Sequence, residues 1–545
     1  MSEFMPKLFS SMKNYSKNQF AKDVIAGIIV AIIALPLSIA LALASGVGPE
    51  QGLYTAIIAG FVIAAFGGSS VQISGPTAAF ATIVAGIVAT KGMEGLIVAT
   101  ILAGVILICM GLLKFGSLIR FIPYTIVTGF TSGIAVTIFI GQIKDFLGLT
   151  FTSSPVETME KLEACFTSIS TINFTAMIIG LIALAILIFF PKLTDKIPPS
   201  LVAVIVTILI VKFGKLEVNT IGSLYEISNK LPTPTLPSFS LDLVKTVFPD
   251  ALTIAILAAI ESLLSCVVSD AMVNDTHKPN AELIGQGIGN VASGLFGGIP
   301  ATGAIARTAA NVKNGGRTPI SGMVHAVVLL LILVLLMPYA ALIPMPTIAA
   351  ILFMVAYNMS NWREFVGLIK SSPKSDIMVL VVTFILTVVF DLVVAIEIGF
   401  LLSAFLFLKR MSDVADIHSW TYVTEDKDGL AVVPEGTLVY EVEGSMFFAV
   451  ADTFLKVSKE KDTKAIILRF RGVPAMDASA LRKLRDLHKS CKKSNVTLVL
   501  SHVQSQPMSM MNKAGFIAEI GEENVCRNIE HALERAKEIC EGSVK

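Results

Sequence analysis

The chain has 545 residues, 54% of them hydrophobic and only 15% charged, with a formal net charge of +1. Soluble domains carry about 25% charged residues, so a mean hydropathy of +0.76 places most of this chain in lipid. No basic stripe with interleaved aromatics marks a nucleic-acid binder. The six cysteines (Cys109, Cys165, Cys266, Cys491, Cys526 and Cys540) form neither a CxxC pair nor a metal-ligand spacing, and read as reduced or buried thiols.

Residues 1–22 form a polar N-terminal segment in which Lys7, Lys13, Lys17 and Lys22 precede an apolar run, Val24–Ala44. That run is long enough to cross a bilayer. It lacks a small-residue cleavage site at signal-peptide distance, so it is expected to be a retained first span. Pro36 and the sequence ALPLSIALAL lie midway along it. A proline there frees backbone groups that a neighbour or ligand must satisfy, with Leu37, Ser38 and Leu41 facing a cavity or the packed core.

Further apolar segments follow at about 52–67, 76–90, 95–113, 124–143, 172–190 and 199–213. A polar loop with Pro232, Pro234 and Pro237 separates them from a second series at about 249–270, 283–296, 303–312, 319–337, 339–357, 375–391 and 392–408. The pattern predicts seven plus seven segments in a transporter domain over 23–409, with repeats at about 23–213 and 249–408. Gly129, Gly133 and Gly141 in the fifth segment read as close helix packing.

The halves echo each other. Phe66, Gly67 and Gly68 lead into SSVQISGPTAAFATIV, and Phe296, Gly297 and Gly298 lead into IPATGAIARTAAN. Paired hydrophobic segments broken by Gly and Pro are the best sequence pointer to a transporter binding site. Irregular backbone at membrane depth is tolerated only where protein buries it or it lines a cavity. The segments beginning near Pro76 and Gly303 are therefore expected to be half-helices.

Lysine and arginine placement puts both termini on the cytoplasmic side. Lys114, Arg120, Lys192, Lys196, Lys278, Lys313, Arg317, Arg363, Lys370 and Lys374 fall on cytoplasmic links, whereas Asp145, Glu157, Glu160 and Glu163 make the opposite link acidic. An odd number of segments per half makes the halves inverted.

From 410 to 545 the chain turns polar. Strand-like runs at Thr437–Val442, Ala465–Phe470 and Val496–Leu500 alternate with helical patterns at Ala449–Lys459, Ser479–Lys489, Gln506–Ala514 and Asn528–Cys540. That alternation predicts a small cytoplasmic α/β domain.

Two ionisable residues carry the chemistry. Glu261 sits midway along the eighth segment, flanked by Ser262, with Ser265 one turn on along the same face. An acid at that depth points to a proton or cation site, and the oxygen cluster suits a hard cation such as Na⁺. A carboxylate hydrogen-bonded between helices is the plain alternative. Arg307 falls in the second half-helix and stays charged, so it needs an anion, a carboxylate partner such as Glu261, or a water-filled cavity. Two half-helix N-termini aimed at one point would make that point an anion site, with Ser74, Thr77, Thr302 and Thr308 as hydroxyl donors. Asp270 is expected at the membrane interface, and Glu397 is assigned a structural pairing. No nucleophile–base pair, phosphate loop or metal cluster supports an enzyme or a bound cofactor.

At this point GVGPEQGLY, ISGPTAA, AAIESLLSCVVSDAM and FGGIPATGAIARTAANVKNGGRTPISGMVHA resemble the SulP family of sulfate-permease-like anion transporters, and the C-terminal part resembles a STAS domain. The resemblance covers nearly the whole chain. It implies the uracil-transporter fold: a polytopic α-helical membrane protein of 14 segments in inverted 7+7 repeats, split into core and gate domains. It also implies a homodimer in the cell membrane, elevator-like motion, and cytoplasmic partners for the STAS domain.

Carried over residue by residue, the substrate seat comprises Leu37, Leu41, Ser74, Thr77, Gly303, Ala304, Ala306 and Arg307. Glu261 and Ser265 take the coupling-ion positions, for H⁺ or Na⁺. Family members with Glu at the Glu261 position resemble proton symporters; the sodium–bicarbonate members tend to have Asp there and Thr one turn on. Animal relatives often place Gln at the position of Leu37 and an aromatic at Leu41. In VPAMDASALRKL, Asp477 and Ser479 match a regulatory Asp-x-Ser loop that is phosphorylated in anti-sigma-factor antagonists, while a plain helix cap is the competing reading. The leading expectation is import of a small inorganic or organic anion with a proton. Sodium-driven bicarbonate uptake, a nucleobase permease and a membrane-tethered STAS regulator are the alternatives.

Overall fold

The computed structural model describes residues 2–117, 123–152, 155, 157–194, 197–225, 229–237, 240–390, 392–414, 416–419, 433–449 and 462–542. Arg120, Lys196 and most of the helical pattern at Ala449–Lys459 lie outside them. The chain divides into two compact units, Met1–Phe400 and Leu401–Lys545.

The first unit is helical. Its first half contains α1 (Lys17–Ala44), α2 (Pro49–Phe66), the two-residue strand β1 (Ser74–Gly75), α3 (Ala78–Leu112), α4 (Tyr124–Leu147), α5 (Thr158–Thr167), α6 (Phe174–Phe189) and α7 (Pro199–Gly214). The second half contains α8 (Leu241–Val273), α9 (Pro279–Leu295), β2 (Thr302–Gly303), α10 (Ile305–Lys313), α11 (Ile320–Ala340), α12 (Met345–Ser360), α13 (Trp362–Ser371), α14 (Lys374–Val389) and α15 (Leu392–Val414). Among the described residues, seven helices are long and apolar enough to cross a membrane.

Helix α3 runs through a break at Gly92 (φ 70°, ψ −176°) and so supplies the third and fourth segments of the first repeat. Each repeat then has seven segments, and a short strand opens the third of each. Among the helices that sequence pattern did not anticipate are α5 and α13. Both are short, and α13 has no buried residue.

Side-chain caps start two of the long helices. The Ser16 hydroxyl accepts from Gln19 N at 3.1 Å before α1, and Ser240 accepts from Leu243 N at 3.1 Å before α8. Pro36 and Pro249 lie inside these two helices. Ahead of α1, Tyr15 donates to the fully buried Asp23. Burial, opposed by Thr318 and reinforced by Asp23, pushes the Tyr15 hydroxyl up to about 12.

Packing separates two bundles. Helices α1, α2, α3, α8, α9 and α11 pack on one another, and α4 packs on α12 and α14, with α6 between α12 and α7. Small residues set a close crossing of α3 and α9: a Cβ on Gly104 would lie 2.6 Å from Gly287 O, and one on Gly287 would lie 2.5 Å from Gly104 O. Gly129 and Gly133 likewise press on α14 at Leu380, Thr383 and Thr387. Gly141 departs from the expectation, because its Cβ would meet open space.

In the second unit, β3 (Asp416–Ser419), β4 (Thr437–Glu443), β5 (Ala465–Gly472), β6 (Thr497–Ser501) and β7 (Val525–Cys526) form one sheet in that order. Only the β3–β4 pair is antiparallel. Alternation along β5 sends Ile466, Leu468 and Phe470 to the face covered by α16 (Ala478–Lys493) and α17 (Ser505–Lys513). Ala465 and Ile467 point to the other face, against α18 (Ile529–Gly542). Strands β3 and β7 are too short to have signalled themselves by alternation.

Candidate functional site

The two broken segments meet. Strands β1 and β2 pair antiparallel, with Ser74 opposite Gly303 and Gly75 opposite Thr302. Ala304 N donates to Ile73 O at 2.9 Å, and Ile73 N donates to the Thr308 hydroxyl at 3.0 Å. Thr302 fastens the crossing to α8 by donating to Ala258 O at 3.0 Å. This backbone is buried, as irregular structure at membrane depth must be.

Helix α3 starts after Thr77 and α10 after Ala304, and neither start has a side-chain cap. The first N–H groups of both helices are therefore available to a negative group. Ile305 and Ala306 are exposed between the half-buried Ala304 and the buried Arg307. Arg307 is 2% exposed. One guanidinium nitrogen, Nη2, donates to Pro76 O, whereas Nε and Nη1 have no partner. A Cβ at Gly75 would lie 2.7 Å from Nη1, so the first strand yields its side-chain space to the guanidinium. Arg307 thus reaches across to the other half-helix rather than to Glu261.

Glu261 lies half-buried on α8 and accepts from the Thr77 hydroxyl at 3.0 Å. Ser265, one turn on, is 1% exposed, and its Oγ has no partner. Ser74 is buried and accepts from Gln286 Nε2 at 3.2 Å. On α1, Leu41 is 2% exposed and Leu37 half-buried. Asp270 accepts from His277 N at 2.9 Å and faces its ring Nδ1 at 2.7 Å, while Glu397 is exposed on α15.

Sequence reading missed a polar layer behind this crossing. Glu282, Gln286 and Asn290 recur every fourth residue along α9, and all three are buried. That spacing puts them on one helix face, a signal overlooked in a segment read as apolar. The Asn290 amide brackets Ala301, accepting from its N–H at 2.8 Å and donating to its carbonyl at 2.9 Å. His325 on α11 was also missed; it is fully buried, with both ring nitrogens unpartnered.

Nearer the chain start, Lys7 donates to Asp275 at 2.8 Å in the loop between α8 and α9. Burial opposes ionisation of Asp275, but bonds from Lys7, Ser70 and Thr276 together hold it below the ordinary carboxylate value. In the second unit, Asp477 caps α16 by accepting from Ala480 N at 2.9 Å and from Phe448 N at 2.8 Å. Ser479 is exposed in the first turn of that helix. Among the described residues no group of acidic, His and Cys side chains is placed to hold a metal.

Comparison with known proteins gives a consistent picture. A model of the sulfate permease family matches residues 20–383, and a STAS domain model matches 430–532. The Bacillus subtilis protein named "Putative sulfate transporter YvdB" is 42% identical over 94% of this chain and 97% of its own length. The bicarbonate transporter BicA of a Picosynechococcus species is 32% identical, over 94% of each chain. The solved structure of murine solute carrier 26 family member A9, an anion transporter in the inward-facing state, superposes with a TM-score of 0.89. It covers 98% of this chain and 94% of that one at 18% identity, a likeness of fold.

Proposed function

Because the chain belongs to the sulfate permease family, we propose that it is a secondary active transporter importing a small anion of the sulfate, bicarbonate or dicarboxylate class. The observation that carries this reading is Arg307: a buried guanidinium with two nitrogens unpartnered, placed where two uncapped helix starts converge. A desolvated cation beside free N–H groups binds an anion with charge-assisted hydrogen bonds. Ser74, Thr77, Gly303, Ala304 and Ala306 complete the seat, and Leu37 and Leu41 line it from α1. A neutral nucleobase gains nothing from such a charge.

Glu261 is the coupling group in this reading. Its single hydrogen bond from Thr77 links it to the first half-helix, so gain or loss of a proton at Glu261 is felt at the seat. Protonation would also offset the charge of the carried anion. The bundle containing α1–α3 and α8–α11 would move as an elevator against the bundle built on α4, α6, α7, α12 and α14. In keeping with the family, the protein is a homodimer in the cell membrane, with a transporter domain over 23–409. Both termini and the STAS region of 410–545 would then be cytoplasmic, Asp477 and Ser479 offering a regulatory loop to partners.

One observation favours a second coupling mode. Ser265 Oγ is buried and unpartnered one turn from Glu261, an oxygen pair that would suit Na⁺. Proteoliposomes decide between them: uptake of sulfate, bicarbonate and a dicarboxylate is measured under separate pH and Na⁺ gradients. Proton coupling predicts uptake that follows the pH gradient and is lost in Glu261→Gln. Uptake that tracks Na⁺ alone selects the second mode, and no uptake of any anion overturns the proposal.

A further inference from the structure

We infer that Gln72 and Glu282 form a clasp that positions the anion seat without touching the anion. The inference rests on the anion reading above and adds to it the group that fixes where the two half-helices cross. Glu282 is 1% exposed, in the first turn of α9. Its Oε2 accepts from Gly68 N at 2.8 Å and from Ser69 N at 3.2 Å. Its Oε1 accepts from Gln72 Nε2 at 2.6 Å, Ser262 Oγ at 3.0 Å and Gln286 Nε2 at 2.9 Å. One carboxylate therefore gathers the end of α2, the approach to β1, α8 and its own helix.

Gln72 transmits that anchorage to the seat. Its side chain is held at both ends: Nε2 also donates to Ser262 Oγ at 3.0 Å, and Oε1 accepts from Cys266 Sγ at 3.2 Å. The amide lies flat against β2, where a Cβ at Gly303 would come within 2.4 Å of Gln72 Cδ and Nε2. The next residue, Ile73, carries the backbone bonds to Ala304 and Thr308. Gln286 completes the circuit through Ser74 Oγ. The crossing that aims Arg307 and both helix starts thus has one of its side-chain restraints at Gln72, and that restraint is fixed by Glu282.

Buried networks of this kind act as units, because each remaining group is left unpaired when one is removed. Glu282→Gln in the full-length chain puts an N–H where an acceptor serves several donors. Loss of a charge-assisted bond corresponds to about tenfold in an equilibrium. Hydrogen exchange is measured at Ser74–Ala79 and Gly303–Arg307, and uptake of radiolabelled sulfate and of bicarbonate is measured against anion concentration.

The clasp predicts, in folded Glu282→Gln, exchange at both stretches raised about tenfold and KM raised about tenfold, with the maximal rate within about twofold. The double variant Gln72→Glu/Glu282→Gln exchanges acceptor for donor across the same contact and should reverse both effects. Gly303→Ala, which displaces the Gln72 amide and leaves Glu282 intact, should raise exchange in the same way if Glu282→Gln does not fold. Unchanged exchange, an unchanged KM with a reduced maximal rate, or no recovery in the double variant overturns the clasp. Arg307→Ala separates the two readings: full uptake in that variant removes the anion seat, while the exchange data still judge the clasp.

Discussion

The Thr77 hydroxyl donates to the Glu261 carboxylate at 3.0 Å, joining the cap position of α3 to the acid on α8. The pair stands at the start of a half-helix whose N–H groups are otherwise free of side-chain caps. Thr77→Val keeps the shape and removes the donor, leaving a half-buried carboxylate without that contact. Gradient-driven uptake in proteoliposomes should fall about tenfold, and Thr77→Ser should retain most of it. Equal rates in all three proteins would detach Thr77 from coupling.

Arg307 provides the second prediction. A ligand that binds the folded state raises its stability by about 2.7 kcal/mol at a hundredfold excess over Kd. Sulfate or bicarbonate should therefore raise the melting temperature of the wild-type protein. Arg307→Ala should abolish the anion-dependent shift. Arg307→Lys should keep only part of it, since an ammonium lacks the planar fork that spans Pro76 O and an anion together. An undiminished shift in Arg307→Ala would place the anion elsewhere.

The crossing was legible in the sequence because its cost is visible there. Gly, Pro and one Arg inside apolar runs violate what lipid tolerates, so 66–84 and 296–311 announce themselves. The segment count followed from hydropathy for the same reason, with Gly92 marking where α3 breaks. Glu282 and Gln286 left a signal in their four-residue spacing that was overlooked, whereas Gln72 stayed hidden because its bonds reach residues far along the chain and nothing local shows that it meets Gly303. For Arg307 the sequence left an anion, a carboxylate such as Glu261 or a water-filled cavity open, and did not anticipate the Pro76 carbonyl. Composition supplies the charge but not the direction of a long side chain, and here the guanidinium finds a proline carbonyl.

Packing between repeats gives a stability prediction. A Cβ at Gly104 would lie 2.6 Å from Gly287 O and 2.7 Å from Val291, on a helix face with no room to relax. Gly104→Ala should destabilise the protein by about 1–3 kcal/mol, the usual penalty of overpacking. Gly86 on the same helix has nothing within 4 Å of its Cβ, so Gly86→Ala should be neutral or stabilising by about 0.4–1 kcal/mol. Thermal unfolding of both variants in detergent checks the contrast, which would collapse if the two behaved alike.

His488 sets a pH dependence in the second unit. It lies half-buried on α16, edge-on to the Phe516 ring with centroids 6.0 Å apart, and its Nδ1 has no partner. Burial, and then the charge of Lys492, lower its pKa below the ordinary histidine value; Glu519 opposes them. The folded state therefore favours neutral His488, and the unfolded chain takes up the proton first as pH falls. Stability from this residue is complete above the unfolded value of about 6.5 and declines as pH drops below it, levelling off below the folded pKa. Protection of the α16 amides, corrected for the pH dependence of intrinsic exchange, should fall over that acid range in the wild-type chain. His488→Gln cannot titrate, and its exchange should lose this component. A wild-type acid response that survived unchanged in His488→Gln would assign it to another group.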